Sequence, residues 1–143
     1  MIPYDKRSGK IWYNNELIDW ADANIHVLNH SLHFATSVFE GIAVYNSKPF
    51  LSDDHFKRLI KSAKLMKLKF EKNVKELEMI ANTLIKKNKI TNGYIRPIIF
   101  RSENSMSPDT KECTTKFAMA TWEWGTLFKK KIYIFRYISM AKT

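Results

Sequence analysis

The apolar positions along the chain follow two different periods, and the change of period marks out its elements. Between Ser52 and Leu68, the residues Phe56, Leu59, Ile60, Ala63 and Met66 recur at helical spacing. Asp53 and Asp54 fall in the first turn, where the helix dipole favours negative charge, and Ser52 is the expected N-cap. A second stripe of Leu77, Ile80, Ala81, Leu84 and Ile85 predicts a helix over 74–88, closed by Thr91, Asn92 and Gly93. Outside this central region the pattern is that of strands. Residues 10–13 predict a short strand, Asn14, Asn15 and Glu16 a tight turn, and 17–20 the return strand. Residues 38–46 are rich in β-branched and aromatic types; a turn over Asn46, Ser47, Lys48 and Pro49 leads to a partner strand at Phe50 and Leu51. Residues 94–100 and 117–122 predict two strong strands joined by a polar loop. Strands, two helices, then strands predict an α+β fold with an antiparallel sheet and two helices.

Composition narrows the class. The 143 residues suffice for one ordinary domain, and 45% hydrophobic content is enough for a real core, which excludes a disordered tail. No apolar run approaches the ~18–20 residues of a membrane span, and the first residues lack the apolar stretch of a secretory signal. The single cysteine, Cys113, allows neither a disulfide framework nor a cysteine metal cluster within the chain, and a cytoplasmic setting is expected. The net charge of +10 raises nucleic acid as a partner. The lysines are, however, spread over helix surfaces and loops without a reader motif, so a solvated basic surface is expected, with no nucleic-acid and no membrane partner.

The candidate chemistry is sparse. Only four glycines are present and no Gly-rich phosphate loop. His30 and His33 could share one helix face, but nothing supports a zinc pattern, and no metal is expected. Cys113 has no evident base beside it. Three features remain. The run from His30 to Ile42 is densely packed with small, polar and aromatic residues just before a strand. Arg58 neighbours the apolar stripe of its helix, so packing can hold its guanidinium toward an anion. Tyr94 and Arg96 alternate in a strand and therefore line one surface together.

The His30-to-Ile42 run, Arg58-Leu59 followed by Ser62-Ala63, Tyr94-Ile95-Arg96-Pro97 and Trp124-Gly125 resemble, in order and spacing, the N-terminal half of branched-chain amino acid aminotransferases. These are pyridoxal-phosphate enzymes of fold type IV. The resemblance covers about residues 10–127 and implies the small N-terminal domain of that fold. It assigns Arg58 to the cofactor's phosphate, and Phe39 to an aromatic wall of the substrate side-chain pocket. Tyr94 is matched to a position near the substrate carboxylate, Arg96 to the second carboxylate of glutamate, and Trp124 to the pocket edge. The implied reaction is reversible amino transfer between Leu, Ile or Val and 2-oxoglutarate, with an amino acid or 2-oxo acid as small-molecule partner and a homo-dimer as assembly.

Phe34 stands where family members often carry tyrosine, Ala43 where they often carry arginine, and Leu127 where some carry an aromatic residue. The Schiff-base lysine of the family has no match: Lys129, Lys130, Lys131 and Lys142 sit outside the motif, so no catalytic residue is assigned. The resemblance thus implies pyridoxal phosphate for the intact family, doubtful retention of it by this chain, and no turnover by the chain alone. An exposed apolar face favours self-association. Residues 1–127 form the matching domain. Residues 128–143 read as an unrelated tail: Met140-Ala141 must read tryptophan one base on, as a frameshift would leave it. Half of a split transaminase, completed by a separate chain, is the alternative, and a basic non-catalytic binding module is a more remote one.

Overall fold

The computed structural model describes residues 2–124. Gly125 and the expected division at residue 127 with its tail lie outside them. Among the described residues, seven strands form one sheet: β1 (Lys10–Tyr13), β2 (Glu16–Asp19), β3 (Ser37–Phe39), β4 (Ile42–Tyr45), β5 (Lys48–Pro49), β6 (Gly93–Arg101) and β7 (Thr115–Glu123). Their order is β2-β1-β7-β6-β4-β5, with β3 also on β6, and every pair is antiparallel. Two long helices, α2 (Ser52–Leu65) and α3 (Val74–Lys87), cover one face, and a short α1 (His30–Phe34) precedes β3. The α+β architecture with an antiparallel sheet is the one the hydrophobic pattern predicts.

The strand expected over 38–46 is present as two pieces in one register. Phe39 pairs with Ile98 and Ile42 with Ile95, so Glu40 and Gly41 fall opposite Pro97 and Arg96. The Glu40 N–H donates to the Pro97 carbonyl at 3.1 Å, but proline has no N–H to return, and the ladder opens there. The break in the ladder falls at Glu40 and Gly41, beside Phe39, Tyr94 and Arg96.

The core lies between the sheet and the two long helices. Ile42, Val44, Ile95, Ile99, Phe117 and Met119 from the sheet meet Phe56, Leu59 and Ala63 of α2 and Leu77, Ala81 and Leu84 of α3. Full burial of each large side chain contributes roughly 1.5–3 kcal/mol, so this stripe-on-sheet contact fixes where both helices sit.

The ends of α2 differ from expectation for clear reasons. Leu51, not Ser52, is the N-cap residue, in a left-handed conformation (φ 50°). Ser52 lies inside the helix and donates its hydroxyl to Glu78 Oε1 at 2.6 Å, joining α2 to α3. The helix stops at Leu65 instead of Leu68 because Lys67 turns left-handed (φ 52°). The Leu68 N–H then returns to the Ala63 carbonyl at 2.9 Å and that of Lys67 to Lys64 at 3.1 Å, closing a Schellman turn. Arg101, itself buried, donates to the Met66 carbonyl at 3.0 Å. At the start of α3, Asn73 and Glu76 form a reciprocal capping box.

The sequence pattern gives no notice of α1, whose five residues are too few for a period. Asn29 caps it through the Ser31 N–H. His30 is buried, with Nδ1 2.9 Å from Thr36 Oγ1 and Nε2 3.1 Å from the Ser107 carbonyl, while His33 Nε2 lies 2.9 Å from the Val27 carbonyl. Both rings are engaged in hydrogen bonds within the fold. Among the described residues, no group of three or more His, Cys, Asp or Glu side chains could hold a metal ion. None of the helices described is long and apolar enough to cross a membrane.

Candidate active site

Strand alternation sends Ile95 and Ile99 of β6 into the core and turns Tyr94 and Arg96 to the opposite face. On the neighbouring strand β3, Phe39 takes the same face, since Val38 packs on the core side and Glu40 points with Val38. The Arg96 guanidinium carbon lies 4.5 Å from the centre of the Phe39 ring and 5.4 Å from that of Tyr94. Arg96 Nη2 is 3.5 Å from the Tyr94 hydroxyl. Beyond Tyr94, Trp124 meets its ring edge-on at 4.9 Å, and Trp122 stands 5.3 Å away. Four of the five residues singled out in the sequence (Phe39, Tyr94, Arg96 and Trp124) are therefore in one contiguous cluster.

Arg96 has a specific electrostatic situation. It is half-buried, and no carboxylate among the described residues pairs with it. Its neighbours are two π faces, which attract a cation but do not satisfy its N–H donors. On its other side Arg96 borders an apolar cavity of about 330 Å³. Ile98, Phe100, Ala118 and Ala120 of the sheet are among the residues that line that cavity, with Ile25 and Leu32 of the segment before β3. A cation at the edge of an apolar hollow can hold a carboxylate whose remainder is aliphatic.

The fifth residue, Arg58, stands outside this cluster on α2. Its guanidinium is forked on Glu40: Nε donates to Oε1 at 2.5 Å and Nη2 to Oε2 at 2.6 Å. His55, one helical turn earlier, places Nδ1 2.8 Å from Glu40 Oε2 and 3.0 Å from Arg58 Nη2. Burial pushes the Glu40 carboxyl up, but the hydrogen bonds from Arg58 and His55 outweigh it and hold it below the ordinary carboxylate range. The same bond to Glu40 raises Arg58 further. Arg58 remains 60% exposed, and among the described residues nothing accepts from Nη1. Sequence reasoning did not single out Glu40 or His55, although the first lies in the His30-to-Ile42 run. The i, i+3 spacing of His55 and Arg58 was the available signal for the second.

Known proteins resemble the chain in sequence and in fold. The family model for class IV amino-transferases matches residues 37–142. The branched-chain-amino-acid aminotransferase of Salmonella typhimurium is 37% identical over 125 residues, which are 84% of this chain and 40% of that protein. The crystal structure of the Escherichia coli branched-chain amino acid aminotransferase superposes with a TM-score of 0.77 at 37% identity, over 83% of this chain and 41% of that one. A third branched-chain amino acid aminotransferase, the T.th. enzyme solved with pyridoxamine 5′-phosphate, gives a TM-score of 0.79 at 30% identity, covering 87% of this chain and 42% of its own.

The fold and the match together define the class: the chain belongs to the class IV amino-transferase family. The relatives it resembles in sequence and structure are branched-chain amino acid aminotransferases, and the family depends on pyridoxal phosphate. The chain spans about two fifths of the length of the curated relatives it matches. The residues present fit the phosphate end of that cofactor, since Arg58 offers an exposed guanidinium with Nη1 free among the described residues.

Proposed function

We propose that this chain forms the substrate-facing part of a branched-chain amino acid aminotransferase. The observation that carries the reading is Arg96, a half-buried cation without an acidic partner among the described residues, wedged between Phe39, Tyr94 and an apolar cavity. A transaminase of this type must accept both an aliphatic chain and the second carboxylate of glutamate. In this reading Phe39 and Trp124 present apolar walls to the aliphatic chain. Arg96 receives the distal carboxylate of glutamate or 2-oxoglutarate through a charge-assisted fork, and Tyr94 adds a hydroxyl near the substrate carboxylate. Arg58 holds the cofactor's phosphate. The cofactor, when bound, supplies the electron sink for moving the amino group; the residues described here bind, orient and exclude water.

Ile25, Val27, Leu28, Leu32 and Phe34 are exposed along one short segment. We propose that a second copy of the chain covers them, giving a homo-dimer in a cytoplasmic setting.

A chimera tests the reading. Residues 10–124 are put in place of the matching segment of the Escherichia coli relative, and the product is assayed with leucine and 2-oxoglutarate. Amino transfer is expected. A chimera that folds and binds pyridoxal phosphate but transfers no amino group from leucine, isoleucine or valine contradicts it.

A further inference from the structure

We infer that Glu40 and His55 are positioning residues that turn Arg58 into a directional phosphate receptor, an inference that rests on Arg58 being the phosphate arginine. Arg58 is mostly exposed, and a free side chain of that length samples many rotamers. Glu40 removes this freedom. It is buried, it sits where Pro97 interrupts the ladder, and it takes the side-on edge of the guanidinium through Nε and Nη2. The end-on edge, formed by Nη1 and the second N–H of Nη2, faces away from the carboxylate by the planarity of the group.

His55 decides whether that edge is complete. Its Nδ1 lies within hydrogen-bond distance of both Glu40 Oε2 and Arg58 Nη2. An Nδ1 carrying a proton donates it to Glu40 and leaves Nη2 free. An Nδ1 without a proton accepts from Nη2 and occupies half of the end-on edge. The proton therefore belongs on Nδ1 when phosphate is bound. In that state Nη1 and Nη2 together fork onto two phosphate oxygens, and the remaining oxygens are left to the rest of the site.

The sign of the Glu40 effect separates this arrangement from simple electrostatics. A carboxylate beside an anion site repels the anion, so removing its charge should tighten binding if Glu40 has no positioning role. A positioning role predicts the opposite.

The test is binding of pyridoxal 5′-phosphate against unphosphorylated pyridoxal by the full chain, followed by NMR, in wild type, Glu40→Gln, Glu40→Asp and Arg58→Ala. We expect the preference for the phosphorylated form to fall about tenfold in Glu40→Gln. It should fall comparably in Glu40→Asp, which keeps the charge but withdraws it, and vanish in Arg58→Ala. Unchanged or tighter binding in Glu40→Gln, with loss in Arg58→Ala, overturns the positioning role and leaves the phosphate assignment standing. Undiminished preference in Arg58→Ala overturns the phosphate assignment itself. The unaltered chain gives a second reading that needs no variant to fold. The Arg58 Nε–H resonance should keep its carboxylate-bonded position when pyridoxal 5′-phosphate is added while the Nη resonances move; displacement of the Nε–H resonance overturns the inference.

Discussion

The phenol of Tyr94 rests directly on the backbone of Gly41. A Cβ built on Gly41 would lie 1.7 Å from the Tyr94 hydroxyl oxygen and 2.6 Å from the carbon that bears it. Gly41 is thus required by the close approach of a ring, and its φ is outside the left-handed region. The space left by its missing side chain lets Tyr94 lie across Gly41, where the ladder is interrupted, with Arg96 beside it.

Gly41→Ala should therefore act through Tyr94. Overpacking of this kind costs about 1–3 kcal/mol, read as a lower denaturation midpoint. In a Tyr94→Ala background the same substitution should cost much less, and a double-mutant cycle measures the difference. Equal costs in both backgrounds would show that something other than the Tyr94 ring excludes a side chain at position 41.

Acid should unfold the chain partly through Glu40. Its carboxyl ionises more readily in the folded chain than at the ordinary value of 4.5, because the bonds from Arg58 and His55 outweigh the cost of burial. A depressed folded-state value means that the stabilisation is fully present above pH 4.5 and is lost as the pH falls through the folded value. Glu103 adds to it in the same direction through its bond with Lys116. Melting temperature against pH should fall steeply below pH 4.5 in wild type and less steeply in Glu40→Gln. Parallel curves would remove Glu40 from the account.

Asn88 ties the end of α3 to two strands. Its Oδ1 accepts from the Lys10 N–H at 2.7 Å, and its Nδ2 donates to the Lys10 carbonyl at 2.9 Å and to Thr121 Oγ1 at 2.8 Å. Asn88→Ala leaves these partners unsatisfied in a half-buried place and should cost about 1–3 kcal/mol. Hydrogen exchange should then rise at Lys10, whose N–H loses its acceptor. Unchanged protection at Lys10 would contradict the assignment.

Much of this was legible in the sequence, and the physical reason varies by element. The stripes of α2 and α3 are long enough for their period to dominate, and β6 and β7 carry the alternation of a sheet with one buried face. Tyr94 and Arg96 were placed on one surface by strand geometry alone. The resemblance added Phe39 and Trp124, and the structure brings both to Tyr94 and Arg96. The forked bond of Arg58 was not legible. Glu40 lies 18 residues earlier, and only the packing of α2 beside the ladder break opposite Pro97 brings the two together. Ser52 misled because its hydroxyl serves Glu78, a partner on another helix, in place of its own helix end. The short α1 depends on the Asn29 cap and on the distant bonds of His30, which no local pattern reveals.

In the proposed function Arg96 reads the second carboxylate of the acidic substrate while the apolar walls read the aliphatic one. Single-turnover amino transfer in the chimera tests it most directly, with glutamate and leucine compared in wild type and Arg96→Leu. A loss of at least about thirtyfold is expected with glutamate, the equivalent of about 2 kcal/mol for a carboxylate deprived of its cation, with little change for leucine. Equal losses for both substrates, or none for glutamate, would contradict it.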